Sequence, residues 1–148
     1  MIDEYSPLMI IENEPTDVMI FQKALEQLSY TRPIRFFDDG SEALAFAEDP
    51  GQSAPWLVFL DLNTPGMGGI EFLRFRKKSE HLMWVPVVVM SSSENPEEIR
   101  KCIINGACGF LPKSFEFNEF KESIALAIRY WSRSLTPTRN SVFNFCDE

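Results

Sequence analysis

The chain has 148 residues, 45% of them hydrophobic and 24% charged, with a formal net charge of −8 at pH 7. That length fits one domain able to bury a core, and the composition excludes general disorder. The acidic balance excludes direct binding to duplex DNA, which needs clustered Lys and Arg, and no apolar run reaches the length of a membrane span.

Leu8 to Ile11 is a short apolar run that reads as a first strand. Pro15 suits a helix first turn, and Val18, Phe21, Leu25 and Leu28 follow at spacings of three and four. Ile34 to Phe37 is the second predicted strand, closed by the turn signal Asp38-Asp39-Gly40. Ser41 is the predicted cap of a short helix through Ala47, ended by Asp49-Pro50-Gly51. Trp56 to Leu60 is continuously apolar, as in a parallel strand covered on both faces. A helix over Gly68 to Lys78 follows, its basic end complementing the helix dipole. Val85 to Met90 is the fourth strand, with Pro86 tolerable at its start. Asn95 to Asn105 reads as a partly exposed helix stopped by Gly106, and Cys108 to Leu111 as a short last strand. Phe117, Phe120, Ile124, Ile128 and Trp131 mark the buried stripe of a final helix.

Five strands alternating with five helices, joined by right-handed crossovers, predict an α/β doubly wound parallel sheet in the order 2-1-3-4-5. The domain is expected over 1–131. Two readings of the tail at 132–148, with Phe143 and Phe145, stay open: disorder, slightly favoured, or packing against a dimer partner. The three cysteines, Cys102, Cys108 and Cys146, lack metal-type spacing. Cys102 and Cys108 fall in apolar contexts and are expected to be buried. With no export signal at the N-terminus, a cytoplasmic setting is expected.

Ligands of such sheets bind beyond the carboxyl ends of the strands, beside the point where strand order reverses. Strand one ends at Glu12-Asn13-Glu14, strand three at Asp61, strand four at Ser91-Ser92-Ser93 and strand five at Lys113. Alone, an Asp after a strand is commonly a turn or cap residue, a Lys is commonly a solvated charge, and Phe110 is commonly core. Together they converge on one crevice with complementary chemistry. Neighbouring carboxylates repel, and a hard cation such as Mg²⁺ relieves that. Asp61 can accept phosphorus as an acyl phosphate, Lys113 can neutralise phosphoryl oxygens, and the Ser91 hydroxyl can donate to the same group.

From about Leu8 to Trp131 the sequence resembles the receiver domains of two-component response regulators. The resemblance is carried by Glu12-Asn13-Glu14-Pro15, by Val58 through Asp61, Asn63, Pro65 and Gly69, by Pro86 through Ser91-Ser92, and by Gly106 through Phe110 to Lys113. It implies Mg²⁺-dependent phosphoryl transfer from a sensor histidine kinase to Asp61. It also implies coupled movement of Ser91 and Phe110 that remodels the face of helix four, strand five and helix five. Glu12, Asn13, Asp61 and the main-chain carbonyl of Asn63 are the implied metal ligands, and the side chains of Asn63 and Ser93 are implied to tune the acyl phosphate. A narrower resemblance, in Asn13 to Asp17, Lys113-Ser114 and Arg129 to Pro137, is to the stand-alone regulators of bacteriophytochrome-type kinases. That one implies a homodimer through the same face. Such a protein is not an enzyme beyond its own phosphorylation and dephosphorylation, and binds neither nucleic acid nor membrane.

Three positions depart from the family pattern. Asn13 stands where an Asp is usual, which predicts weaker Mg²⁺ binding; Ser114 replaces the usual proline after the lysine; Ser91 replaces a commoner Thr. Asn13 motivates an alternative, a degenerate receiver that binds proteins without being phosphorylated. A flavodoxin-like redox protein is a further rival, opposed by Glu12 and Glu14 where a flavin phosphate would need donors. An aspartyl phosphatase is another, opposed by Asn63 where a second Asp would stand. His81 lies in a polar segment and reads as a surface residue.

Overall fold

The structure, a computed structural model, describes residues 2–137. The apolar runs form five parallel strands: β1 (Leu8–Ile11), β2 (Ile34–Phe37), β3 (Leu57–Asp61), β4 (Val87–Ser91) and β5 (Gly109–Pro112). Between and after them lie α1 (Pro15–Gln27), α2 (Gly40–Glu48), α3 (Gly69–Arg76), α4 (Pro96–Ile104) and α5 (Phe117–Arg133). The sheet order is β2-β1-β3-β4-β5, the doubly wound arrangement the alternation predicts. Leu8 pairs with Ile34 on one side and Leu57 on the other, so the ends of β1 and β3 lie adjacent where the order reverses.

Successive side chains of each strand go to opposite faces. Ile10, Phe59, Val88 and Met90 pack against Phe21 and Leu25 of α1 and Phe120, Ile124 and Ile128 of α5. Met9, Ile11, Val58, Leu60, Val87 and Val89 pack on the other face against Ala43 of α2, Phe72 and Leu73 of α3, and Cys102 of α4. Two covered faces explain why the central strands are continuously apolar instead of alternating. Phe21 ties α1 to both sheet and α5, its ring centroid 5.3 Å from Phe59 and 5.2 Å from Phe120. Burying each such side chain contributes about 1.5–3 kcal/mol.

Several boundaries differ from the sequence reading. β3 takes in Asp61 and β4 takes in Ser91, so both polar residues are ladder residues and not loop residues. β4 starts at Val87 because Pro86 has no N–H for the ladder, although its carbonyl still accepts from the Val58 N–H. The cap of α2 is Asp39 and not Ser41. Its carboxylate accepts from the backbone N–H of Ser41 at 2.8 Å and of Glu42 at 3.1 Å, and from the Ser41 hydroxyl at 2.6 Å. These bonds hold the Asp39 carboxyl below its ordinary range, the Ser41 hydroxyl first among them. Asn95 and Asn105 flank α4 as its caps and do not belong to the helix.

Cys102 is buried but Cys108 is exposed, contrary to expectation. Cys108 precedes the edge strand β5, where no further strand covers it, on the rim of a groove between β5 and α5. α5 runs two residues past 131, to Arg133, and residues 138–148, with Phe143, Phe145 and Cys146, lie outside the described part. Arg76, in the basic last turn of α3 that the sequence predicts, is buried. Its Nε and Nη2 donate to the Val85 carbonyl at 3.1 and 2.5 Å, and its Nη1 to the Gly106 carbonyl at 3.4 Å. Among the described residues, no helix is long and apolar enough to cross a membrane.

Candidate functional site

Each strand delivers one polar residue to the carboxyl edge of the sheet. Glu12 follows β1, its backbone N–H held by the Phe37 carbonyl of β2, and only 3% of it is exposed. Asp61 ends β3, paired with Met90. Ser91 ends β4 and is wholly buried. The Lys113 N–H donates to the Ser91 carbonyl at 2.8 Å, which fixes the lysine one residue beyond β5. Its side chain then reaches back across the crevice. The Nζ lies 2.7 Å from Glu12 Oε2, 3.2 Å from Asp17 Oδ2 and 3.5 Å from Asp61 Oδ1.

One ammonium therefore serves three carboxylates. Burial raises the Glu12 pKa above its ordinary value; the Lys113 hydrogen bond works against this, and the Asp61 charge adds to it. For Lys113, burial opposes the charge, but the hydrogen bond to Glu12 and the charges of Asp61, Glu12 and Asp17 outweigh it and raise its pKa. Three carboxylates thus share one ammonium in the crevice.

The loops position the rest. After β3, Thr64 Oγ1 donates to the Met67 carbonyl, and Gly66 turns the chain at φ +71°. A Cβ there would also meet Asp39 Oδ2 at 2.6 Å, which leaves glycine as the fitting residue. Asn63 is exposed, its N–H directed at Asp61 Oδ1 at 3.4 Å. After β4, the Ser93 N–H donates to the Ser91 hydroxyl at 3.1 Å, and the Ser93 hydroxyl donates to Glu98 of α4 at 2.7 Å. Phe110 is half-buried against the core beneath α2, α3 and α4.

Glu12, Asp61 and Lys113 are thus brought into contact, and Ser91 sits on the neighbouring strand end. Asn13 is half-buried at the start of the next loop. Phe110 sits on the α2–α4 face and makes no part of the lysine cluster. Sequence reasoning assigned no role in this crevice to Asp17, Thr64 or Glu98. A signal for Asp17 existed: it falls in the first turn of α1, immediately after the acidic segment.

Among the described residues, no group of three His, Cys, Asp or Glu side chains is arranged to hold a metal ion. The oxygens that the strand ends bring beside one another are the carboxylates of Glu12 and Asp61, both buried and both within 3.5 Å of the Lys113 ammonium. All are hard oxygens, and two carboxylates completed by waters and phosphate oxygens is the pattern Mg²⁺ accepts. Glu12 and Asp61 share a single ammonium with Asp17, which leaves carboxylate charge that a cation would neutralise. The residues fit the ion.

The model of the response regulator receiver domain family matches residues 8–125. The chain is 32% identical over 127 residues to the Probable methanogenesis regulatory protein FilR2 of Methanothrix harundinacea, spanning 84% of this chain and 82% of that protein. It is 26% identical over 143 residues to the response regulator Rcp1 of Synechocystis, spanning 92% and 97%. Among solved structures, the phosphorylated cyanobacterial phytochrome response regulator RcpA superposes with a TM-score of 0.81 at 27% identity, over 90% of this chain and 99% of that one.

Proposed function

The chain belongs to the response regulator receiver domain family, and from that premise we propose that it is a phosphoacceptor switch of two-component signalling in which Asp61 receives the phosphoryl group. The observation that carries this is the Lys113 ammonium placed 2.7 Å from Glu12 and 3.5 Å from Asp61 at the point of strand-order reversal. An Asp61 carboxylate oxygen forms the new O–P bond as the N–P bond of the donor phosphohistidine breaks, its electron pair returning to the imidazole. Lys113 then exchanges carboxylate contacts for the phosphoryl oxygens. Mg²⁺ on Glu12, Asn13, Asp61 and the Asn63 carbonyl would supply charge neutralisation. Ser91 leaves the Ser93 N–H to donate to the phosphoryl group, and Phe110 turns into the space it vacates.

The donor we propose is a sensor histidine kinase of the bacteriophytochrome type, a reading supported by the likeness to Rcp1 and RcpA. We read the switch as cytoplasmic, where such a kinase would draw on nucleotide. Output passes through α4, β5 and α5, which also form the dimer face. Exposed Ile103 and Ile104 on α4 and Leu126 and Tyr130 on α5 support that assignment. Asn13, which brings no charge to the crevice, favours a second reading: a binding module that works without phosphorylation. Intact mass after incubation with a small-molecule phosphodonor and saturating Mg²⁺ separates the two. Wild type gains one phosphoryl group and Asp61→Asn gains none, which eliminates the second reading; an unmodified wild type would defeat the phosphoacceptor reading.

A further inference from the structure

The strand ends do not account for every partner of Lys113. Asp17 lies in the first turn of α1, and its Oδ2 is 3.2 Å from the ammonium, nearer than Asp61 at 3.5 Å. Lys113 donates hydrogen bonds to Glu12 and Asp17, whereas its contact with Asp61 is the longest of the three ion pairs. The Glu12 side chain is 2% exposed and that of Asp17 is 38% exposed. Loss of the ammonium would strand Glu12 in a dry site, but Asp17 can be solvated again by water. A cavity of about 30 Å³ lined by Glu12, Asp17, Phe21, Lys113 and Phe120 leaves the lysine head room to move. When a phosphoryl group competes for the ammonium, Asp17 is therefore the carboxylate that gives it up.

We propose that Asp17 is a positioning residue that holds the Lys113 ammonium towards α1 in the unmodified protein, so that its grip sets how readily the lysine transfers to a phosphoryl group on Asp61. This rests on the phosphoacceptor reading. The test is a titration of beryllofluoride, an acyl phosphate mimic, at saturating Mg²⁺, followed by fluorine NMR on wild type, Asp17→Asn and Asp17→Glu. In parallel, the Lys113 ammonium resonance is recorded in each unmodified protein. Asp17→Asn should half-saturate at a beryllofluoride concentration roughly two- to fivefold lower, the range for a partly exposed ion pair. Its Lys113 resonance should move and exchange faster with water, and Asp17→Glu should restore wild-type behaviour in both readouts. An unchanged or weakened midpoint in Asp17→Asn would overturn the proposal. So would a gain without any change at the Lys113 resonance, because the effect would then be plain charge repulsion. A wild type that binds no beryllofluoride would defeat the phosphoacceptor reading itself, and the proposal with it.

Discussion

Asn13 is the residue at which this crevice departs most from the charge that the proposed Mg²⁺ would favour. It leaves Glu12 and Asp61 as the carboxylates at the strand ends, and affinity for hard cations follows the charge of the ligand set. Asn13→Asp should therefore lower the Mg²⁺ needed for half-maximal modification, on the order of tenfold, in a metal titration read by intact mass. If the mutant requires as much Mg²⁺ as wild type, the account of this position is wrong. Lys113 is the opposite case, one charge that three carboxylates share. Lys113→Met leaves the buried Glu12 carboxylate without its 2.7 Å partner and should destabilise the fold by on the order of 3 kcal/mol in denaturant unfolding. The pairing of these two residues joins chain positions 101 apart. The order of strand ends brings them to one crevice, and Asp17 follows in the first turn of α1, although that placement alone does not show that the ammonium reaches it.

At the scale of elements, the strands and helices are legible because continuous apolar runs and three-and-four spacings are local signals. The ends were harder. Asp39 and Ser41 are both good cap residues, and the choice fell to Asp39 because one carboxylate takes two backbone N–H groups and the Ser41 hydroxyl together. Asp39→Ala should cost about 1 kcal/mol. With its folded pKa lowered from 3.8, the advantage of Asp39 over Ala is fully present above that value and is lost as pH falls through the folded pKa. Unfolding of both proteins across acidic pH checks the sign. Cys108 was misjudged because a small residue before an edge strand has an apolar sequence context without a covering layer. The basic last turn of α3 is legible in the sequence, but the burial of Arg76 is not, because its partners are not local to the helix. Its partners are the carbonyls of Val85, between α3 and β4, and of Gly106, after α4. Arg76→Met should cost on the order of 3 kcal/mol by leaving those carbonyls unpaired.

Across the whole molecule, five parallel strands with both faces covered leave the strand ends as the place for chemistry and the helix surfaces for partners. The outer faces of α4 and α5 keep Ile103, Ile104, Leu126 and Tyr130 exposed, and the proposed dimer closes over them. Leu126→Glu should raise the dimer dissociation constant by at least about tenfold in sedimentation velocity, as a charge forced into an apolar contact requires. Phosphoryl acceptance, at the other end of the strands, should be unchanged. Everything in the account depends on where the phosphoryl group goes. Borohydride reduction of the acyl phosphate after treatment with phosphodonor and Mg²⁺, followed by peptide mass mapping, reads that position directly. A single reduced residue is expected, at Asp61; an unreduced Asp61 or a reduced residue elsewhere would show that Asp61 is not the acceptor.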